Sequence, residues 1–180
     1  MVDANCPQLG MWGVARLVGQ GGEVHRTILG FHQDDVGDWV AELSCLHNQH
    51  VRHEPPFQER PWVLAAEGRA TRIGAEMECP LCDRGELPDG LEPARTVRFD
   101  DATLPPGLRR DHRVAEQTWA VLRVLDGHAR FTMAIDPAID RRMSAGDEQA
   151  IPPGVLHAVE PEGPVVLTVE FLVQPERHRR

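Results

Sequence analysis

The sequence contains no lysine and only two serines, Ser44 and Ser144. The absence of lysine excludes a Schiff-base enzyme and a phosphate-binding P-loop, and neither serine lies in a Gly-x-Ser-x-Gly nucleophile elbow. Any chemistry of this chain must therefore rely on metal ions, histidine, cysteine or carboxylate groups.

The chain also lacks a basic surface pattern and a long apolar run. Its net charge is −9, and no stripe of arginines alternates with aromatic residues, so we expect no nucleic-acid partner. No run approaches the roughly 18 apolar residues of a membrane span. The mildly apolar residues 9–19 include Arg16 and lack both a preceding basic segment and a cleavage site, so we do not expect them to act as a signal peptide.

Metal-binding side chains are concentrated in two short segments. These are Cys45, His47, His50 and His53 in the first segment, and Cys79 and Cys82 in the second. A Cys-x-x-Cys pair places two thiolates on one ion, and the first segment adds a sulfur and imidazoles at comparable reach. This spacing predicts a tetrahedral site with zinc as the first candidate. A redox pair would require a βαβ pattern, which is missing.

Three ligands of this site are predicted to be Cys45, Cys79 and Cys82. The fourth is either His47 or His50, of which we favour His47, and His53 is expected in the second shell or on the surface. Cys6 has no cysteine or histidine near it in the sequence, and we interpret it as having no role in metal binding. Because the thiols are arranged for metal rather than for disulfides, we expect a cytoplasmic location.

Composition divides the chain into five parts: a poorly ordered leader (1–25), a metal-binding domain (26–83), a linker rich in Pro, Gly, Asp and Glu (84–94), a second domain (95–174) and a tail (175–180). A unit of about 55 residues buries so little apolar surface that its fold is only marginally stable alone. A structural metal ion would supply the missing stability.

The first domain is predicted to be α+β. Residues 26–31 and 38–43 form a hairpin around a turn at 33–37. A helix is predicted to begin at Pro61 and to run through residues 62–73, with Gly74 closing it in a left-handed cap. We expect this helix to pack through Trp62, Ala66 and Ile73.

The second domain is predicted to be all β, as a sandwich or barrel. An edge strand at 96–99 precedes it, and turns are expected at Asp126-Gly127 and at 145–147. The predicted strands are 118–125, 128–135, 138–143, 148–151, 156–159 and 165–173.

Five segments of the first domain carry a family resemblance: Gly30-Phe-His-Gln-Asp34, Asp38-Trp-Val-Ala-Glu-Leu-Ser-Cys45, His50-Val-Arg-His53, Arg60-Pro-Trp-Val63 and Cys79-x-x-Cys82. Together they resemble a small bacterial domain family of unknown function over residues 27–83. The resemblance supports a metal-bound module and implies no activity. The chain departs from the family pattern at Leu46, where glycine is common.

In the second domain, Gly146, Pro152, Gly154 and His157 reproduce the second cupin motif, G-x5-P-x-G-x2-H. The first motif is reduced to His112 and Glu116, with Ala120 in place of its usual glutamate. The run from Leu108 to Phe131 resembles small cupins of the tellurite-resistance type, over residues 95–174, with Gln117 where glycine is expected.

That resemblance implies a jelly-roll barrel with a divalent metal, Zn2+, Fe2+ or Ni2+, held by His112, His157 and less securely Glu116. It also implies a link to oxyanion stress. The overall expectation is a mostly β protein in which a small α+β zinc-binding domain precedes a C-terminal cupin jelly-roll barrel.

Three functions agree with these patterns. The first is a metal-dependent enzyme, an oxygenase or reductase acting on a small molecule or oxyanion in a stress response. The second is a small-ligand or redox sensing module with a structural zinc. The third is a degenerate cupin scaffold beside a structural zinc. We expect a small-molecule ligand as partner, no membrane, and room for a homodimer formed through the cupin.

Overall fold

The computed structural model describes residues 23–175 of the 180-residue chain. Most of the predicted leader, including Cys6, and most of the predicted tail lie outside this range. The strands are β1 (His25–Gln33), β2 (Trp39–Leu43), β3 (Asn48–His50), β4 (Glu76–Glu78), β5 (Glu92–Asp100), β6 (Thr118–Met133), β7 (Ile139–Ser144), β8 (Glu148–Ile151) and β9 (His157–Val173). The helices are α1 (Ala66–Ala70) and α2 (Pro80–Asp83), with 3-10 turns at Pro61–Val63 and Pro106–Arg109.

The first four strands form an antiparallel sheet in the order β3-β2-β1-β4. The predicted hairpin is present as β1 and β2, paired from Ile28 with Leu43 to Gln33 with Trp39. On its other side, β1 pairs with β4. The central position of β1 matters for the site, because this strand touches both segments that carry the metal-binding side chains.

The predicted helix over residues 62–73 is wrong in its length. Only Ala66–Ala70 is α-helical, because Ala65 is extended (φ −109°, ψ 146°) and separates it from the 3-10 turn Pro61–Val63. A side chain at Gly68 would collide with the backbone of Trp62, so the glycine permits this tight return of the chain.

The packing predicted for that segment is also only partly right. Trp62 is half-buried against Phe31, with ring centroids 5.9 Å apart. Ala66 and Ile73, however, are exposed to solvent. Gly74 does adopt the predicted left-handed conformation, with φ +84°.

The remaining strands form a second antiparallel sheet in the order β5-β9-β6-β7, with β8 also pairing with β6. β6 is one strand rather than two: register shifts on either side of Asp126 and Gly127 accommodate the predicted turn as bulges. The two strands predicted at 156–159 and 165–173 likewise form one strand, β9, because they pair with β6 on both sides of these bulges.

This arrangement curls the sheet around a cavity. The first half of β6 pairs with β8 and the second half with β7, while β9 pairs with β5 at the sheet edge, where an edge strand was predicted. Leu167, Val169 and Phe171 alternate along β9 and face the cavity. The predicted fold class, a mostly β chain with a cupin-like C-terminal barrel after a small α+β region, is confirmed.

The two sheets share no strand within residues 23–175, yet their buried side chains form one continuous hydrophobic core. Trp119 of β6 is fully buried in it. The domain boundaries themselves stay predictions. Across the described residues, no helix is long and apolar enough to cross a membrane.

Candidate metal centre and cupin cavity

Four metal-binding side chains meet in the first domain: Cys45, His47, Cys79 and Cys82. Cys45 and His47 belong to the tight turn after β2, where Leu43 N–H donates to the His47 carbonyl at 2.9 Å. Cys79 immediately precedes α2 and Cys82 lies within it. All four are buried. The closure of this turn and the start of α2 therefore hold the donor atoms in place.

The donor atoms have the spacing of a tetrahedral zinc site. His47 Nδ1 lies 3.5 Å from Cys45 Sγ, 3.4 Å from Cys79 Sγ and 3.6 Å from Cys82 Sγ. Cys45 Sγ and Cys79 Sγ are 3.7 Å apart. Zn–S bonds of about 2.3 Å and Zn–N bonds of about 2.0 Å give tetrahedral edges of about 3.8 Å for S–S and about 3.5 Å for N–S. The four residues thus fit zinc closely.

The protonation equilibria of this cluster are strongly coupled. Burial lowers the pKa of His47, but contacts with the sulfurs of Cys45 and Cys79 outweigh it and raise the pKa to about 9. Contacts with Cys45 and Cys82 lower the pKa of the Cys79 thiol. The contacts with Cys45 and Cys79, together with burial, raise the pKa of Cys82, whereas the positive charge of Arg26 acts in the opposite direction. A divalent cation would relieve the repulsion that prevents three thiolates from coexisting.

Two non-glycine residues in the described range 23–175 have left-handed backbones: Leu46 at φ +74° and Gln117 at φ +59°. These are the two positions at which the sequence departs from a glycine expected by resemblance. Leu46 lies between Cys45 and His47 in the metal-binding turn. Gln117 follows Glu116 at the start of the cupin barrel. Both sites therefore keep a conformation that favours glycine.

The other two histidines of the first segment lie outside the cluster. His50 is exposed, and its Nε2 is 2.9 Å from Asp34 Oδ2. It ends the short strand β3, which directs it away from the cysteines, so the alternative that made His50 a ligand is not supported. His53 Nδ1 accepts a hydrogen bond from Arg60 N–H at 3.0 Å. This contact is local and does not involve the residues of the cluster.

The barrel encloses a cavity of about 330 Å3. Its walls are mainly apolar and come from β5, β6, β8 and β9, with Phe99, Leu122, Ile151, Leu167 and Phe171 among them. The polar lining consists of His112, His157, Arg95 and Arg113. Among residues 23–175, no carboxylate lines this cavity, which gives it a positive character in a chain of net charge −9.

His112 and His157 lie side by side in this cavity. Their backbones exchange two hydrogen bonds of 3.0 Å, and their ring centroids are 4.0 Å apart. Each Nδ1 donates to a backbone carbonyl, His112 to Arg110 at 3.1 Å and His157 to Val155 at 2.9 Å. Because a carbonyl oxygen can only accept, Nδ1 carries the proton in each ring, and Nε2 is the nitrogen that lacks a proton whenever the ring is neutral.

His157 is almost completely buried, with 2% of its surface exposed. This burial lowers its pKa to about 4, an effect that the hydrogen bond to Val155 opposes and the neighbouring His112 reinforces. His157 is therefore neutral at pH 7, and its Nε2 is a hydrogen-bond acceptor or a metal ligand.

Glu116, the third ligand predicted for a cupin metal, does not join these two histidines. It is exposed and lines a separate groove between the two sheets, together with Arg26 and Gly154. The left-handed turn at Gln117 separates it from β6 and turns it away from the cavity. Among residues 23–175, no third His, Cys, Asp or Glu joins the imidazole pair in a possible metal cluster.

Four residues near these sites were not predicted from the sequence. Arg95 and Arg113 line the cavity, Trp119 contacts the metal cluster, and Arg26 is buried beside it. One signal was available: Val24, just before β1, and Arg26 and Ile28 within it are the buried residues of an alternating pattern, and a charged residue between two apolar ones on an inward face is unusual. The contacts of Trp119 depend on residues distant in sequence.

Two family models match the chain. Residues 29–86 match the family described as Protein of unknown function (DUF3565), and residues 94–169 match the TehB-like domain. Comparison with curated proteins gives no match.

Solved structures similar to this chain are matched over about half of its length. A protein from Escherichia coli strain K12 is 20% identical, with a TM-score of 0.45, over 51% of this chain and 98% of that one. TehB from Haemophilus influenzae is 18% identical, with a TM-score of 0.43, over 48% of this chain and 32% of that one. A cupin protein from Bacteroides fragilis is 17% identical, with a TM-score of 0.36, over 50% of this chain and 73% of that one.

The matched segments follow the order of the two sites described above. The first includes every residue of the Cys/His cluster, and the second includes both cavity histidines. Residues 29–86 are therefore similar to the DUF3565 family, whose function is unknown, and residues 94–169 are similar to the TehB-like domain.

Proposed function

We propose that this protein binds a small apolar organic acid in its cupin cavity and that a structural zinc ion stabilises its N-terminal domain. The observation that carries the proposal is the cavity itself: apolar walls, two imidazoles of which the buried His157 is neutral, two guanidinium groups and, among the described residues, no carboxylate. The protein is in this view a binding or sensing module of the cytoplasm, with the small acid as its partner.

The size and the walls of the cavity favour a small apolar body. Its volume of about 330 Å3 lies at the lower end of the range of about 300–1,000 Å3 found for small-molecule sites. The alternating side chains of β9 and the facing residues of β6 supply the apolar contacts. A hydrocarbon chain or a single aromatic ring suits this space.

The charges around the cavity favour an acid. Arg95 and Arg113 are both exposed and line the cavity, so their guanidinium groups can remain in contact with water. A guanidinium group pairs well with a carboxylate because it offers parallel N–H donors. The neutral His157 deeper in the barrel adds an acceptor for a hydroxyl group of the ligand.

The Cys/His cluster supports a structural rather than a catalytic ion. Four protein ligands close a tetrahedron and leave no position for a substrate, and three thiolates with one imidazole are a donor set suited to zinc. Bound zinc would supply folding free energy to a domain with a small core.

A catalytic metal in the barrel receives less support. Catalytic zinc and non-haem iron sites are typically held by three protein ligands. Here only His112 and His157 converge, because Glu116 lines the other groove. This comparison favours ligand binding over metal-dependent catalysis.

Isothermal titration calorimetry with octanoate and benzoate tests the proposal, with octanamide and benzamide as uncharged controls. We expect saturable binding of at least one acid and weaker binding of its amide. The variant Ala120→Leu should abolish binding, because Ala120 is fully buried and lines the cavity. Equal binding of acids and amides, or binding unaffected by Ala120→Leu, would contradict it.

A further inference from the structure

Arg26 is a charged residue at a core position. It lies on the inward face of β1 between the buried residues Val24 and Ile28, and only 7% of its surface is exposed. Its Nε and Nη2 atoms are buried and have no hydrogen-bond partner in the described part of the chain. A buried charge without compensation is strongly destabilising, so this guanidinium requires an explanation.

The backbone around Arg26 contacts both segments that carry the cysteines. Two residues before it, the Val24 carbonyl accepts a hydrogen bond from Cys79 N–H at 2.9 Å. One residue after it, the Thr27 carbonyl accepts one from Ser44 N–H, also at 2.9 Å, next to Cys45. Arg26 is thus held on the strand that joins the two halves of the metal-binding cluster.

With zinc bound, the cluster would carry the negative charge that compensates the buried guanidinium of Arg26. Three thiolates and a neutral imidazole around a divalent ion leave a net charge of −1, in a site whose four residues are all buried. We propose that Arg26 is the counter-charge of the metal centre and that its buried guanidinium raises the affinity of the cluster for zinc. This inference rests on the proposed zinc site.

Glu116 lines the same groove as Arg26, as do Glu23 and Glu76, which are exposed too. A Cβ atom at Gly154 would lie 2.8 Å from Glu116 Oε1 and 3.8 Å from Arg26 Nη1. Glu116 is exposed, however, so water and salt screen its charge, whereas the metal centre is buried as Arg26 is. The counter-charge role is therefore assigned to the metal centre, and Glu116 becomes a control.

Competition with a chromophoric chelator measures the zinc affinity of the full-length variants. We expect Arg26→Met and Arg26→Gln to weaken zinc binding by about 10- to 100-fold, the usual effect of changing a residue that supports the ligands. Arg26→Lys should stay near the wild type because it keeps the charge. Glu116→Gln and the exposed control Arg52→Met should bind zinc as the wild type does.

Cobalt substitution separates the loss of charge from a loss of ligands. We expect the cobalt forms of the Arg26 variants to keep the absorption spectrum of a tetrahedral thiolate site. Wild-type affinity in Arg26→Met, or an equal loss in Arg26→Lys, would overturn the proposal, and so would a changed cobalt spectrum. If Arg26→Gln does not fold even in excess zinc, the double variant Arg26→Gln/Glu116→Gln decides the case. Folding of the double variant would show that Arg26 compensates Glu116 and would overturn the proposal. Failure of the double variant to fold supports the proposal. Wild-type protein that binds no zinc would instead disprove the zinc site itself.

Discussion

The indole Nε1 of Trp119 donates a 2.8 Å hydrogen bond to the backbone carbonyl of Cys45, 74 residues earlier in the chain. The same indole packs edge-on against His47, with ring centroids 5.3 Å apart. The next residue, Ala120, lines the cupin cavity. Two consecutive residues of β6 thus connect the metal centre with the proposed ligand site.

Replacing Trp119 with phenylalanine should destabilise the protein by about 1–3 kcal/mol, because it leaves the buried Cys45 carbonyl without its donor. Urea unfolding of the zinc-loaded protein measures this change. Trp62→Phe is the matched control, since Trp62 is half-exposed and its indole donates no hydrogen bond to a described residue. An equal loss in the two variants would show that ring size, rather than this hydrogen bond, determines the effect.

Replacing Gln117 with glycine should stabilise the protein. Gln117 is exposed at φ +59°, in a turn closed by a 3.2 Å hydrogen bond from Thr118 N–H to the Ala115 carbonyl. The left-handed conformation costs a non-glycine residue about 1–2 kcal/mol, and the added chain entropy of glycine offsets about 0.5–1 kcal/mol of the gain. Thermal unfolding should show a net gain of about 0.5–1 kcal/mol.

The control for this change is Gln58→Gly, at another exposed glutamine that is not left-handed. It should lower stability, because glycine there only adds entropy to the unfolded chain. A loss of stability in Gln117→Gly as well would contradict the strain assigned to this turn.

Acid should weaken the barrel through His157. Its pKa is lowered from 6.5 to about 4 in the folded protein, so the unfolded chain takes up a proton in this interval while the native barrel does not. Stability therefore falls as pH drops from about 6.5 to about 4, by up to about 3 kcal/mol, and is unaffected above this range.

Comparing the wild type with His157→Gln isolates this effect, because acid also protonates the Cys/His cluster in both proteins. Urea unfolding at pH 7, 6 and 5 should give a difference in stability that shrinks towards low pH. A difference that is constant from pH 7 to pH 5 would show that His157 does not titrate as its burial requires.

The sequence predicted those parts of the sites that depend on local spacing. Cys79-x-x-Cys82 and the Cys45-x-His47 turn place their donor atoms within one turn of chain, so the three cysteines could be named in advance and His47 favoured over His50 as the fourth residue. The second cupin motif also depends on local spacing. Gly154, at φ +67°, shapes the turn before His157, and His157 lines the cavity.

Long-range pairing could not be predicted in the same way. Asp126-Gly127 has the composition of a hairpin turn, but β9 lies alongside β6 on both sides of it and makes it a bulge. Glu116 was expected in the cavity because the resemblance to small cupins implied it, less securely than the two histidines, and the turn at Gln117 directs it elsewhere. The burial of Arg26 and Trp119 arises only where the two sheets meet.

Metal content tests the central claim most directly. Full-length protein purified without chelators should contain one zinc ion per chain by mass spectrometry, and His157→Ala should retain it. Cys79→Ser should lose it, because the cluster then keeps only three of its four ligands. Two ions per chain in the wild type, or an ion that is lost with His157→Ala and kept with Cys79→Ser, would contradict a structural zinc beside a metal-free ligand cavity.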